Sequence, residues 1–338
     1  MNATSKSLSI VKFLAVYAHL VADALGVAYE FKPAHLIPAR HLIEFEPPRG
    51  FVRAHASAPF GAYSDDGAQF LLLLTSLVMS GKLDLDDFGR GLVHWLDVGH
   101  MAVRNKVFDV GITTREAINR MRKGTPAAFA GLTEERANGN GSLMRVLAVT
   151  LWHSGPDEDL VKDAMRSSLP THAHPRAVVC CGVYALWARY ILEGRYATTD
   201  EAFSEALQFM KIPGILEEQE QFKEVLGLEG VMLDERSGEY APRGTGYVVD
   251  SLFAAVRLNR LHETYEDVVK EAIALGNDTD TTACIAGPIA VLRGSDVPDR
   301  WLNALAQFPI EATRATTCFL TPEIIDDLRE HLAKRAGR

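Results

Sequence analysis

Two clusters of acidic and hydroxyl side chains constrain this fold more than any other feature of the sequence. The first is Ser64-Asp65-Asp66 and the second runs from Asn277 to Thr282, and each comes directly before an apolar segment. Carboxylates held this closely repel one another and resist ionisation unless a cation neutralises them. An all-oxygen set of carboxylates and hydroxyls suits Mg²⁺ or Mn²⁺ better than zinc. If the fold brings the two clusters together, the sequence predicts an oxygen-lined metal site.

Helix capping is the alternative interpretation of both clusters. Ser, Asp and Thr are preferred N-cap residues, and an aspartate in the first turn interacts favourably with the helix dipole. Ser64 or Asp65 would cap one helix, and Asp280 or Thr281 another. Capping requires one such residue per helix, whereas each cluster supplies three or more. Taken as a pair, the clusters therefore favour a metal site.

Composition and charge exclude several classes of protein. The chain has 338 residues, of which 47% are hydrophobic and 23% charged, as in an ordinary globular protein. A net charge of -9 argues against nucleic-acid binding. The four cysteines have neither metal-site spacing nor the pattern of a secreted disulfide framework. Lys12, His19 and Asp23 interrupt the apolar N-terminal stretch, so we expect neither a signal peptide nor a membrane span, and a cytoplasmic protein.

Helical periodicity predicts an all-α chain. Apolar residues from Ile10 to Leu25 recur at three- and four-residue steps, and Gly26 offers a stop. Convincing strands with alternating polarity are scarce. Further helices are predicted over Asp66–Ser80, Pro175–Glu193 and Thr264–Leu275, and another begins within Gly246–Asp250.

No change in composition marks a domain boundary, and we expect one domain over residues 1–338. The most polar stretch, Leu216 to Gly244, is predicted to form a surface helix and a loop. Pro288 lies inside the helix expected after Thr281, where it removes a backbone donor and should bend or shorten that helix.

The segment Asn138-Gly-Asn-Gly-Ser142 has the composition of an anion-binding loop. Alternating glycines let backbone amides approach an anion closely, and the loop leads into a helix expected from Leu143, whose N-terminus favours phosphate. By itself the segment is equally compatible with an ordinary turn. The nearby pair His172 and His174 does not have a strong metal-site pattern, and His174 is placed to cap the helix that follows.

Six segments in order resemble the ADP-ribosylglycohydrolase family, the dinitrogenase-reductase-activating glycohydrolase type. The resemblance extends from Val21 to Gly294. Two departures are Ala22, where the family usually has glycine, and Gly67, where it usually has threonine. The six segments are Asp23–Phe31, Tyr63–Asp66, Asp109–Thr114, Asn138–Arg145, Thr171–His172 and Gly276–Thr282.

The resemblance implies an all-α orthogonal helical bundle with two Mg²⁺ or Mn²⁺ ions at the base of an ADP-ribose cleft. Two such cations can hold ribose hydroxyls, orient a water and stabilise a developing charge. By motif position the metal ligands are Ser64, Asp65, Asp66, Asp278, Asp280 and Thr281. The residues assigned to catalysis are Glu30, Asp65, Asp66 and Asp280. The alternative for Glu30 is an ordinary surface glutamate.

The resemblance also implies the substrate contacts. Asn140, Gly141 and Ser142 would contact the pyrophosphate and ribose, and His172 is the better candidate of the two histidines. Asp109 would meet a cationic acceptor such as a guanidinium, or else stabilise its own turn. The remaining substrate-binding candidates are Val110, Gly111 and Tyr247.

The expected activity is metal-dependent hydrolysis of the bond between ADP-ribose and an acceptor, with ADP-ribosyl-arginine on protein as the first candidate. A second hypothesis in the same class is hydrolysis of serine-linked or O-acetyl-ADP-ribose. A third, from another class, is an immunity-type protein that binds and masks an ADP-ribosyltransferase. The expected partners are therefore an ADP-ribosylated protein or ADP-ribose, with a transferase under the third hypothesis.

Overall fold

A computed structural model describes residues 7–210, 241–306 and 317–319, and these residues form helices and loops. Apart from isolated bridges, the described residues contain no β-strand. The all-α prediction is confirmed. The helices are α1 Leu8–Gly26, α2 Asp65–Ser80, α3 Leu85–Val98, α4 Ile112–Arg122, α5 Leu147–Trp152, α6 Asp157–Ser168, α7 Pro175–Leu192, α8 Thr199–Phe209, α9 Val248–Leu261, α10 Tyr265–Ala274, α11 Thr279–Leu292 and α12 Asp299–Ala304.

The helix ends follow the local chemistry of the sequence. Helix α2 ends at Gly81, whose φ of 65° is the left-handed conformation that glycine adopts without strain. Helix α7 begins with Pro175, and the side chain of His174 accepts a hydrogen bond from the N–H of Arg176. The capping role predicted for His174 is thus confirmed. Thr264 caps α10 by accepting from the N–H of Asp267 at 3.1 Å.

Helices α1 and α11 pack against each other at the centre of the molecule. Gly26, the last residue of α1, lies so close to the start of α11 that a side-chain carbon there would be 2.3 Å from Cα of Asp280. The hydroxyl of Thr279 also donates to the carbonyl of Gly26 at 2.8 Å. This close approach joins the segment before Glu30 directly to the second acidic cluster.

Helix α11 continues through Pro288 to Leu292, so the expected shortening is absent. The carbonyls of Ile285 and Ala286, in the turn before the proline, accept hydrogen bonds from Tyr184 of α7 and Asn259 of α9. Neighbouring helices therefore hold the turn that the proline weakens.

Helix α1 is long and apolar enough to cross a bilayer by length and composition alone, and 61% of its most apolar window is buried inside the protein. Asp23 near its C-terminal end is fully buried. In this structure α1 serves as a core helix.

A continuous apolar core runs from Ala15 in α1 to Trp301 in α12. Cys180, Cys181 and Cys284 are buried in it as free thiols. Most of the predicted polar segment Leu216–Gly244 lies outside the described residues.

We expect Gly26→Ala to lower the free energy of unfolding by several kcal/mol, because the added carbon meets backbone atoms that cannot move independently; overpacking typically costs about 1–3 kcal/mol or more. The matched control is Gly91→Ala in α3, where the nearest atom is a leucine methyl at 3.4 Å. This control should be neutral or stabilising, because alanine favours a helix over glycine by about 1 kcal/mol. Urea denaturation measures both, and equal stability of the two variants would contradict the close approach.

Candidate functional site

The structure brings the two acidic clusters together at two helix N-termini. Asp65 and Asp66 form the first turn of α2, and Asp280 and Thr281 lie in the first turn of α11. The Thr281 hydroxyl is 3.4 Å from Oδ2 of Asp66. The Ser64 hydroxyl donates to the same oxygen at 3.1 Å. Residues roughly two hundred positions apart in the sequence therefore share one oxygen-lined site.

Burial makes the charged form of these aspartates unfavourable. It raises the pKa of Asp66 to about 7. Burial, reinforced by the charge of Asp66, raises the pKa of Asp65 well above its ordinary value. For Asp280, burial and then the neighbouring Glu30 carboxyl raise the pKa in the same way. The cluster is thus a set of mutually repelling acids in a desolvated place.

The donor chemistry of the site fits divalent cations. Oδ2 of Asp280 is buried and accepts no hydrogen bond. Among the described residues, no lysine or arginine forms a salt bridge with Asp65, Asp66 or Asp280; Arg145 is near enough for the charge of Asp65 to oppose the lowering of the Arg145 pKa by burial. Buried carboxylates normally require a paired charge or a metal. The oxygens available to Mg²⁺ or Mn²⁺ belong to the predicted set: Ser64, Asp65, Asp66, Asp278, Asp280 and Thr281.

Capping accounts for only part of these residues. Ser64 is the N-cap of α2, where its side chain accepts from the N–H of Asp66, so the capping interpretation holds for Ser64. The N-cap of α11 is Asp278, and its side chain makes no capping hydrogen bond. Asp280 lies inside the helix. Oδ1 of Asp280 accepts from the N–H of Thr281 at 2.8 Å, so interactions with the first turn leave its Oδ2 and the Asp278 carboxylate unexplained.

Asp23 fastens the start of α2 from the neighbouring helix. Its buried carboxylate accepts hydrogen bonds from the N–H of Ser64 at 3.0 Å and of Gly67 at 2.7 Å. A side-chain carbon at Gly67 would lie 2.8 Å from the ring of Tyr63 and 2.9 Å from the Asp23 carboxylate. In this chain the surroundings of Gly67 leave no room for a side chain unless Tyr63 or Asp23 shifts. Asp23 opens the sequence motif Asp23–Phe31, but the motif alone does not predict this contact.

Neutral donors orient the aspartates. The thiol of Cys284 donates to Oδ1 of Asp66 at 2.9 Å. The amide of Gln69 donates to Oδ2 of Asp65 at 3.1 Å, and Arg145 donates to that amide's oxygen at 2.9 Å. Gln69 follows Asp65 by four residues on α2, a spacing that could have identified it. No sequence signal links Cys284 to Asp66.

Glu30 lies between the second acidic cluster and the pair His55 and Asp109. Its side chain is only 3% exposed, so the surface-glutamate alternative is wrong. Its carboxylate lies within 4.8 Å of carboxylate oxygens of Asp278 and Asp280, and it likewise lies within 4.8 Å of His55 and Asp109. Burial, reinforced by Asp109, raises the pKa of Glu30 to about 12.

His55, which no sequence pattern predicts as a site residue, lies within hydrogen-bonding distance of Glu30. Its Nε2 is 2.7 Å from Oε2 of Glu30. No motif in the sequence marks this histidine, because it lies in a loop whose position depends on tertiary contacts.

The glycine-containing loop turns two of its side chains inward. Asn140 donates to Oδ2 of Asp278 at 2.8 Å and to Ser251 at 2.9 Å, so it orients a candidate metal ligand. The Ser142 hydroxyl is buried and accepts from Ser168 at 2.8 Å. A side-chain carbon at Gly141 would lie 2.8 Å from the ring of His172. The N–H of Asn140 donates to the carbonyl of Gly246 at 3.0 Å, so the half-buried Gly139 and Gly141 are the parts of this loop that are left open to a ligand.

The helix expected from Leu143 starts as one 3₁₀ turn, Leu143–Arg145, and α5 follows from Leu147. Arg145 is fully buried and donates to the carbonyl of Gly141 and the hydroxyl of Thr171, both at 2.6 Å. It fastens the loop to the Thr171-His172 segment.

His172 packs against the loop. Its Nδ1 is 2.8 Å from the Thr171 hydroxyl, and burial lowers its pKa to about 3, so the ring is neutral. The ring lies close to both Gly139 and Gly141. The structure thus shows His172 as a support for the loop, and its direct contact with substrate stays a prediction.

The remaining candidates lie on adjoining loops. Asp109 has a left-handed φ of 50°, and its carboxylate reaches Glu30 and His55 rather than serving its own turn alone. Val110 is half-buried, and the exposed Gly111 precedes α4. Tyr247 is the N-cap of α9 and forms a backbone bridge with Gly139. All four therefore lie on loops before helices, as ligand-binding residues often do.

Comparison with known proteins gives the family and the relatives of this chain. Residues 14–337 match the sequence profile described as ADP-ribosylglycohydrolase. An ADP-ribosylarginine hydrolase Tri1 from Serratia proteamaculans (strain 568) is 27% identical over 293 residues, covering 85% of this chain and 73% of the relative. The ADP-ribosyl-[dinitrogen reductase] glycohydrolase of Rhodospirillum rubrum is 26% identical over 291 residues, covering 84% and 86%.

The fold is also similar to a solved structure. A chain described as "ADP-ribosylglycohydrolase-related protein complex" superposes with a TM-score of 0.69 and 25% identity, covering 92% of this chain and 98% of the other. The profile match extends over most of the sequence, and the helical fold agrees with it. This chain therefore belongs to the ADP-ribosylglycohydrolase family.

Proposed function

We propose that this protein is a divalent-metal-dependent hydrolase that releases ADP-ribose from an arginine side chain. The observation that carries the proposal is the group of buried carboxylates at the N-termini of α2 and α11, which form no direct salt bridge with a lysine or arginine among the described residues. Glu30 links this group to His55 and Asp109. Family membership and the hydrolase names of the relatives support the class of reaction.

The six oxygen-donating residues named above would hold the metal. Bound divalent cations supply charge neutralisation and a Lewis acid for ribose hydroxyls and water. Hydrolysis breaks the bond between the ribose carbon and the acceptor atom; water gives its hydroxyl to the carbon and a proton to the acceptor. Glu30, buried beside Asp280 on one side and His55 on the other, is placed to polarise that water or a ribose hydroxyl.

The loop Asn138–Ser142 is the proposed site for the pyrophosphate. Its glycines leave the backbone accessible, and Arg145 and His172 hold its conformation from within. Asn140 connects the loop to the proposed metal centre through Asp278. This contact would couple phosphate binding to the position of a metal ligand.

The part of the site that would bind the acceptor contains two carboxyl groups. This favours an arginine side chain as the acceptor. Asp109 and Glu30 lie together, and among the described residues the ion-pair partner of Glu30 is His55 rather than a lysine or arginine. A guanidinium gains charge-assisted hydrogen bonds from carboxylates, whereas a serine-linked or O-acetyl acceptor is neutral. A protein that only masks a transferase would have little use for buried, mutually repelling acids.

The first prediction concerns metal dependence. The double variant Asp65→Asn, Asp66→Asn should lose turnover and the rise in Tm that Mg²⁺ produces, while its stability in chelator increases because charge repulsion is relieved. Differential scanning fluorimetry with Mg²⁺ and with EDTA, together with a hydrolysis assay, measures both effects. Asp159→Asn, an exposed aspartate on α6, is the control and should behave as wild type. A full Mg²⁺ response in the double variant would contradict the assignment.

The second prediction concerns pH in metal-free protein. The pKa of Asp66 rises from about 3.8 to about 7 on folding, so the folded state holds a proton that the unfolded chain releases as pH increases. Stability in EDTA should therefore fall between pH 4 and 7, by about 1.4 kcal/mol per pH unit at most for this group. Urea denaturation in EDTA should show greater stability at pH 5 than at pH 8. Mg²⁺ should remove most of this difference, and equal stability at both pH values in EDTA would count against the buried cluster.

The third prediction concerns the acceptor. Asp109→Asn should reduce kcat/KM for an ADP-ribosyl-arginine peptide about tenfold to a hundredfold, the range for a lost charge-assisted contact of about 1.5–3 kcal/mol. Cleavage of an ADP-ribosyl-serine peptide should change little. Glu116→Gln, an exposed change on α4, is the control. Faster cleavage of the serine peptide by the wild-type protein would overturn arginine preference and leave the metal proposal standing.

A further inference from the structure

Glu30 belongs to two neighbouring sets of side chains, and only one of them is the proposed metal centre. On one side are Asp278 and Asp280, and on the other are His55 and Asp109. If ribose binds at the metal centre, the bond that breaks lies near Glu30. The leaving group then extends toward His55 and Asp109.

Aromatic rings surround this second set. The ring centroid of His55 is 5.7 Å from that of Phe31 and 5.2 Å from that of Phe108. Phe31 is 60% exposed, although it directly follows the buried Glu30. The His55 side chain is 16% exposed. An accessible aromatic surface therefore adjoins two carboxylates.

Two residues of this surface have a strained backbone conformation. Phe31 has a φ of 58° and Asp109 a φ of 50°, a left-handed conformation that is unfavourable for a residue with a side chain. Phe31 donates its N–H to the carbonyl of Asn277 at 2.7 Å, and Asn277 donates to the carbonyl of Lys32 at 2.6 Å. The second acidic cluster thus fixes Phe31 directly. Strain of this kind is common where side chains are positioned for function.

We propose that Phe31, His55, Phe108 and Asp109 form the acceptor subsite, and that it takes the planar guanidinium of an arginine side chain. The inference rests on the proposed function. It assigns the residues that contact the acceptor, which is the leaving group of the reaction. A guanidinium stacks on aromatic faces and at the same time donates hydrogen bonds to carboxylates. A serine acceptor gains neither contact. The rings are therefore specificity determinants for arginine.

The test removes the rings and keeps apolar bulk. For Phe31→Leu and Phe108→Leu, kcat/KM for an ADP-ribosyl-arginine peptide should fall about threefold to thirtyfold, the range of a cation–π contact. The kcat/KM for an ADP-ribosyl-serine peptide should stay within twofold of the wild-type value. The increase in Tm caused by free ADP-ribose should likewise stay within twofold of the increase in the wild-type protein. Phe31→Tyr should retain the arginine activity. Phe209→Leu, a partly exposed phenylalanine at the end of α8, is the matched control and should have no effect.

The outcomes separate this inference from the proposed function. If the wild-type protein cleaves neither peptide, the proposed function fails and the subsite fails with it. If wild type cleaves the arginine peptide but both leucine variants keep the wild-type ratio of arginine to serine activity, the subsite is wrong and the proposed function stands. Loss of the ADP-ribose response in both leucine variants would also overturn the subsite, since the rings would then support the ADP-ribose side.

Discussion

The structure depends on holding like-charged carboxyl groups together in a place from which water is largely excluded. Asp65, Asp66 and Asp280 are buried, and Glu30 is buried beside them. Two helix N-termini point toward the group, and their dipoles favour negative charge there. A dipole contributes only about 0.3–1 kcal/mol for each charge at most sites, far less than the cost of burying several carboxylates. The close packing of α1, α2 and α11 would therefore form the frame of the proposed cation-binding site.

The side chains around the cluster orient it without neutralising it. Cys284 holds Asp66, Gln69 holds Asp65, and Asn140 holds Asp278, each through a neutral donor. The buried Arg145 hydrogen-bonds to Gln69 rather than to Asp65 itself, and the charge of Asp65 opposes the lowering of the Arg145 pKa by burial. A direct salt bridge would compete with a metal for the carboxylate oxygens. Neutral donors instead keep the charge available and fix the geometry, as partners of metal ligands commonly do.

Much of the fold was predictable from local patterns. The ends of α1, α2, α7 and α10 follow from glycine stops, a first-turn proline and capping residues. The two acidic clusters were recognisable from their composition as a candidate metal site, because both contain more acids than capping can use, but that composition gave their pairing only as a condition.

What could not be predicted is the direction of individual side chains. Asn140 and Ser142 turn inward because Asp278, Ser251 and Ser168 offer partners there. His55 reaches Glu30 from a loop with no recognisable motif. The continuous helix through Pro288 depends on hydrogen bonds from other helices. Each of these features is a tertiary contact between distant segments, and local spacing carries no information about it.

The central claim is that the buried carboxylates exist to bind divalent cations. Crystals grown with saturating Mn²⁺ test it directly, because anomalous scattering locates the metal independently of any assumption about activity. The account predicts two anomalous peaks between the first turns of α2 and α11, bonded to oxygens of Asp66 and Asp280, at about the 2.0–2.2 Å typical of small hard cations. Anomalous density that shows no metal within bonding distance of either aspartate would contradict it.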